Sequence, residues 1–174
     1  MPETSIPEMA PTAASIYQRN LDAVSHALWA RDLPAMLRHI AIPNQVVTED
    51  AEIVIASPDE MFIVMTDFRD AMEGLGADRY LRLCRDAAYV PGRPDMISGR
   101  HDTFILRNGR DLRPPYRSRM TLIRTDAGDW RALRVESAAS NAEARIISPD
   151  LAAGQRRELQ RLFDRLGRGP GREG

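Results

Sequence analysis

Proton-transfer chemistry needs a side chain that ionises near neutral pH, and this chain offers three histidines, His26, His39 and His101. His101 stands in a strongly β-patterned segment, where alternate residues share one face. An imidazole with an ordinary pKa near 6.5 both gives and takes protons at cellular pH, so His101 is the candidate acid–base group. Tyr116 is the candidate donor to an oxygen on which charge develops, and Glu136 or Asp50 would orient or assist the imidazole. Each also has a plainer reading. His101 also reads as a hydrogen-bonded strand residue, and Tyr116 as a satisfied surface tyrosine after Pro114-Pro115. Glu136 reads as the partner of Arg134 or Arg119 in a cross-strand ion pair, and Asp50 as a turn residue.

Several chemistries are excluded outright. All 24 basic residues are arginine, so Schiff-base chemistry on a lysine and a phosphate-loop lysine are both impossible. No His-x-His or His-x-x-x-His spacing occurs, and no metal site is expected. Gly74-Leu75-Gly76 lacks the other features of a nucleotide loop and reads as a helix end. Cys84 is the single cysteine; it reads as a packing residue, and a chain without an intramolecular disulfide points to the reducing cytoplasm. A net charge of −1 over 174 residues argues against nucleic acid. No apolar run approaches the roughly 18 residues of a membrane span, so no membrane partner is expected.

The elements that must position these groups are legible from period and punctuation. After a proline-spaced leader, residues 1–12, an apolar stripe predicts a helix over 13–30. Asp32 and Pro34 start a second, short helix ended by Pro43. Residues 45–48 and 52–56 form a short hairpin or one bent strand. Ser57-Pro58-Asp59-Glu60 is an N-cap, first-turn proline and third-position glutamate, and opens a helix carrying Met61, Met65, Phe68 and Met72. Four strands follow, over 80–90, 96–107, 116–125 and 130–139. Asn108-Gly109 predicts a tight hairpin, and the short connections predict an antiparallel meander. Ser148-Pro149-Asp150 starts a C-terminal amphipathic helix over 149–166, and the Gly- and Arg-rich residues 167–174 read as a disordered tail. The α+β core is thus one domain over residues 13–148.

Hairpin register places the candidates. Pairing Arg107 with Arg110 sets His101 opposite Tyr116, and pairing Thr125 with Asp129 sets Ser118 opposite Glu136 and Met120 opposite Arg134. One sheet face then presents His101, Tyr116, Met120, Trp130, Arg134 and Glu136, mixing apolar bulk with a few ionisable groups as ligand pockets do. Met65 and Phe68 from the third helix would add to the wall. The opposite face, with Arg100, Asp102, Arg117 and Arg119, reads as a solvated or dimer face. A bulge at Pro114-Pro115 that slipped the register by one residue would exchange the faces and put Arg119 opposite Glu136.

Four short segments carry a resemblance: Trp29-Ala30-Arg31-Asp32-Leu33, Thr48-Glu49-Asp50, Gly99-Arg100-His101 and Gly128-Asp129-Trp130-Arg131. In their order and spacing over residues 13–140 the chain resembles the nuclear transport factor 2-like superfamily, which includes SnoaL-like cyclases and ketosteroid isomerases. The resemblance implies a cystatin-like roll: a curved antiparallel sheet wrapped around N-terminal helices into a cone, with a pocket in the wide end. It implies a homodimer and a small apolar or aromatic ligand. It also implies cofactor-free isomerase, dehydratase or cyclase chemistry, or else a non-catalytic binding or assembly role. The isomerases' paired tyrosine and aspartates are matched only loosely, by Asp50, and the C-terminal helix is an addition to the family pattern.

Overall fold

The computed structural model describes residues 10–147 and 149–167, so most of the expected leader and all but the first residue of the expected tail lie outside the described residues. Helix α1 (Ala13–Trp29) begins where the Thr12 hydroxyl accepts from the Ser15 amide at 3.2 Å, satisfying one of the donors that a helix start leaves open. Ile16, Tyr17, Leu21, Val24 and Leu28 recur at helical spacing, and all are buried. Asp32 caps α2 (Leu33–Leu37) through the Ala35 amide at 2.9 Å. The sequence at Ser57 does what its residue types require. It caps α3 (Pro58–Gly74) through the Glu60 amide at 3.2 Å, while the Glu60 carboxylate reaches back to the Ala56 amide at 2.6 Å. Arg69 of α3 stacks 3.9 Å over the Trp29 ring and donates to the Trp29 carbonyl, tying α3 to the end of α1.

Strands β1 (Ile40–Val47) and β2 (Glu52–Ile55) pair as an antiparallel hairpin. β1 begins at Ile40 rather than Gln45 and runs through Pro43. Its ladder to the neighbouring strand is broken between Ile40 and Gln45, where proline has no N–H to offer. The meander follows as β3 (Arg79–Val90), β4 (Arg93–Arg107), the short β5 (Arg110–Asp111), β6 (Tyr116–Arg124) and β7 (Trp130–Ser137). Asn108 and Gly109 turn β4 into β5 with φ of 50° and 74°, the positive pair that a tight primed hairpin demands. The strand order is β2-β1-β7-β6-β4-β3. Every neighbouring pair is antiparallel except β1 and β7, which run parallel, so the sheet is mixed rather than wholly antiparallel. A parallel pair needs a long connection, and here the whole of β2 to β6 supplies it.

The sheet curves around α1 and α3, whose apolar faces meet its inner side and build an α+β roll. Tyr17, Leu21, Met61, Met65, Met72, Ile97, Met120 and Leu122 are each no more than 2% exposed there. Phe68 of α3 meets Tyr80 of β3 edge-on, with ring centroids 5.6 Å apart. After β7 come α4 (Asn141–Ala144) and α5 (Pro149–Gly167). α5 reaches the outer edge of β2, where the Gln155 side chain accepts from the Val54 amide at 3.1 Å and donates to the Val54 carbonyl.

Candidate functional site

Between α1, α3 and the inner face of the sheet lies a cavity of about 120 Å³. Val24, Leu28, Val64, Met65 and Phe68 form its helical wall, and Met120, Ala132 and Val135 its apolar sheet wall. Ile146, from the segment between α4 and α5, also lines it. Polar groups gather on two neighbouring cross-strand rows. One row is Arg82, Thr103 and Tyr116, paired across β3, β4 and β6; the next is His101, Ser118 and Ser137, paired across β4, β6 and β7. All six line the cavity, as do Tyr80, Asn20 and Asn44. No aspartate or glutamate is among the described residues that line it.

His101 is only 1% exposed, and its Nδ1 is hydrogen-bonded to the Tyr17 hydroxyl at 2.8 Å. That contact depends on Gly99, two residues away in β4. A Cβ there would stand 2.7 Å from Tyr17 Cε2 and 2.7 Å from the Asp86 carbonyl oxygen, so glycine is what lets the Tyr17 ring lie against the strand. Burial holds the His101 pKa down to about 3, with the Arg82 charge adding to the fall and Asp102 opposing it. Burial likewise pushes the Tyr17, Tyr80 and Tyr116 phenols above their ordinary range, and Arg82 offsets part of the rise at each. At neutral pH the site therefore holds a neutral imidazole, protonated phenols and one guanidinium. Such a site donates hydrogen bonds readily. It takes up a proton poorly.

Of the residues expected from sequence, His101, Tyr116, Met65, Phe68 and Met120 come together in this cavity. The expected His101–Tyr116 pairing does not occur; His101 pairs with Ser118, and Thr103 with Tyr116. The loop containing Pro114-Pro115 absorbs two residues, and an even shift keeps both side chains on the same face. Glu136 and Arg134 lie elsewhere. The ladder between β6 and β7 shifts between Thr121 and Leu122, because Arg134 pairs with Thr121 while Ala132 pairs with Leu122, leaving Leu133 as an extra residue. This bulge turns Val135 and Ser137 inward and Arg134 and Glu136 outward. The one-residue slip thus arises in β7 and not at Pro114-Pro115. Arg119 does stand opposite Glu136, although Glu136 accepts from Arg134 at 2.7 Å. Trp130, before the bulge, sits outside the cavity with its ring centroid 6.1 Å from that of Tyr89. Asp50 is also away from the cavity. Its carboxylate accepts from the Asn141 amide at 2.5 Å, the Ser140 hydroxyl at 2.9 Å and the Ala142 amide at 3.2 Å, which hold its pKa near 2. It fixes the start of α4 and so supports the segment that carries Ile146.

Sequence reasoning missed Tyr17 and Arg82. Tyr17 was available as a polar-tipped residue beside the α1 stripe. Arg82 alternates with Tyr80 and Cys84 along β3, a signal outweighed by the abundance of solvated arginines. Among the described residues no cluster of three or more histidine, cysteine, aspartate or glutamate side chains is arranged to hold a metal ion. Nor is any helix among them long and apolar enough to cross a membrane.

No protein-family model and no curated protein matches the chain. Solved structures do. The chain is similar to an NTF2-like protein with a cystatin-like fold from Novosphingobium aromaticivorans, at 18% identity over 78% of this chain and 89% of that one, with a TM-score of 0.53. It is similar to a domain of unknown function with a cystatin-like fold from Nostoc punctiforme, at 14% identity over 92% of this chain and all of that one, with a TM-score of 0.56. An NTF2-like protein of unknown function from Pseudomonas putida aligns at 12% identity over 76% of this chain and 90% of that one, with a TM-score of 0.52. Identities this low carry the fold alone. The chain has the NTF2-like, cystatin-like fold.

Proposed function

We propose that this NTF2-like chain is a small-molecule-binding protein whose cavity takes a compact, largely apolar organic molecule with its oxygen turned toward Tyr116 and His101. The observation that carries this reading is the cavity itself, mostly apolar on its helical wall and polar on two adjacent rows of the sheet. Its volume of about 120 Å³ is on the scale of the roughly 150 Å³ apolar cavity that accepts benzene, so a single ring fits and a fused polycycle does not. The apolar body packs on Met65, Phe68 and Met120, and protonated phenols donate to the oxygen. Thermal shift of the full chain against a panel of single-ring and polycyclic compounds tests this. Single-ring compounds raise the melting temperature, Tyr116→Phe and Met120→Ala weaken the effect, and Glu136→Gln leaves it unchanged. A panel in which no single-ring compound binds overturns the reading.

A second reading, cofactor-free isomerisation, dehydration or cyclisation, is favoured by the 2.8 Å contact between Tyr17 and His101. In it His101 moves the proton, Tyr17 orients the imidazole and Tyr116 stabilises charge on the substrate oxygen. Turnover that survives His101→Gln unchanged would remove this reading and leave the binding function standing. For either reading we expect a homodimer through the outer sheet face, where Asp102 is held between Arg85 and Arg117; sedimentation equilibrium measures it.

A further inference from the structure

Arg82 is the buried cation of the site. It is 8% exposed on the inner face of β3, and it is the one charged residue among the described residues that line the cavity, while it also borders a surface groove. Removing a guanidinium from water is unfavourable unless an opposite charge or a full set of acceptors replaces the solvent. Here Nε donates to the Ser25 hydroxyl at 2.9 Å and Nη2 to the Leu21 carbonyl at 3.0 Å. A guanidinium carries five N–H donors, so these two bonds leave more than half of them without a protein acceptor among the described residues. Its Cζ also stands 5.5 Å from the centre of the Tyr80 ring. Arg31, Arg85, Arg93, Arg100, Arg117 and Arg134 each meet a carboxylate, whereas Arg82, more deeply buried than any of these, forms no ion pair among the described residues. Asp22 and Asp78 border a surface groove on the other side of Arg82, but they bond Gln18 and the Asn108 amide instead.

We propose that the cavity selects a small monocarboxylate, with Arg82 as the group that neutralises the ligand's charge and Thr103 and Tyr116 on the same cross-strand row as its further hydrogen-bond donors. This deepens the small-molecule reading and rests on it. A planar guanidinium matches a carboxylate in shape as well as charge, and a charge-assisted hydrogen bond in a low-dielectric cavity is stronger than one between neutral groups. The absence of carboxylates among the described lining residues removes the repulsion that would otherwise exclude an anion. The body of the acid is ring-sized, set by Met65, Phe68 and Met120 on the apolar wall.

The test compares benzoate with benzamide, which share size and shape but not charge, by calorimetry on the full chain. The methyl groups of Met65 and Met120, labelled with carbon-13, report in parallel whether the probe enters the cavity. The expected result is that benzoate binds at least about ten-fold more tightly than benzamide and shifts both methyl signals. Arg82→Met should abolish that preference while benzamide binding persists, and Arg82→Lys should retain part of it. Equal binding of the two probes by the wild type overturns the carboxylate inference and leaves the small-molecule reading intact. A benzoate preference without movement of the methyl signals, or one unchanged in Arg82→Met, also overturns it. If Arg82→Met does not fold, the wild-type probe comparison and the methyl signals decide alone. Failure of both probes and of the wider single-ring panel overturns both readings together.

Discussion

Acidification should destabilise this protein through His101 in a way that can be isolated from every other group. The imidazole ionises near 6.5 in an unfolded chain and at about 3 in the fold, where burial and the Arg82 charge oppose protonation. Because the folded pKa is depressed, the unfolded state binds the extra proton first. The stabilisation is fully present above pH 6.5 and is lost as pH falls toward 3. Between pH 7 and pH 5 the linkage amounts to about 2 kcal/mol from this one side chain. His39, whose pKa burial and Arg38 also lower, contributes in the same direction, so the wild type alone does not isolate His101. Urea unfolding of wild type and His101→Gln at pH 7 and pH 5 does so by subtraction. Whatever the variant's stability at pH 7, it should fall by about 2 kcal/mol less than the wild type's across the interval. An equal fall in the two proteins, or an NMR titration placing His101 above pH 6, would refute the assignment of a neutral, buried imidazole to the site.

Two further outcomes follow from the surroundings of the cavity. Gly99→Ala forces a methyl group against Tyr17 and the Asp86 carbonyl and should cost about 1–3 kcal/mol in urea unfolding, with part of the loss relieved in the Tyr17→Leu background; strict additivity would contradict the proposed contact. Asp50→Ala should speed hydrogen exchange at the Asn141 and Ala142 amides, and Asp50→Asn less so. Since the Asp50 pKa is lowered to about 2, its support is present above pH 3.8 and disappears as pH falls toward 2; exchange rates unaffected by the substitution would remove Asp50 from this role.

The sequence was most informative where local chemistry decides the backbone. Ser57 before Pro58, Asp32 before Pro34 and Asn108 before Gly109 each admit few alternatives, and the structure places caps and a turn at all three. Even the face occupied by His101 and Tyr116 was legible, because a pairing error of two residues does not change the side of the sheet. The side of Glu136 and Arg134 was not. The extra residue Leu133 reflects how β7 fits between β1 and β6, and no residue type in Ala132-Leu133-Arg134 announces a bulge. Arg82 illustrates a different obstacle. Its burial is imposed by α1 lying over β3, a long-range contact that composition conceals among many solvated arginines. Tyr17 lies on the buried side of α1 outside the apolar stripe the sequence suggests, and its hydroxyl finds a partner 84 positions away.

The bond between Gln155 and Val54 has a consequence for how the chain behaves in company. A side-chain amide offers one donor and one acceptor in the same geometry as a peptide unit, so Gln155 acts at the free edge of β2 as a strand one residue long. Val54 would otherwise present its N–H and C=O to solvent beside a side chain that is 43% exposed, the template on which a foreign strand adds. The C-terminal helix thereby covers the β2 edge at Val54 against strand addition there, leaving the outer sheet face untouched. A chain cut before Pro149 loses that stopper together with the buried Ala152, and its oligomers should grow from the β2 edge.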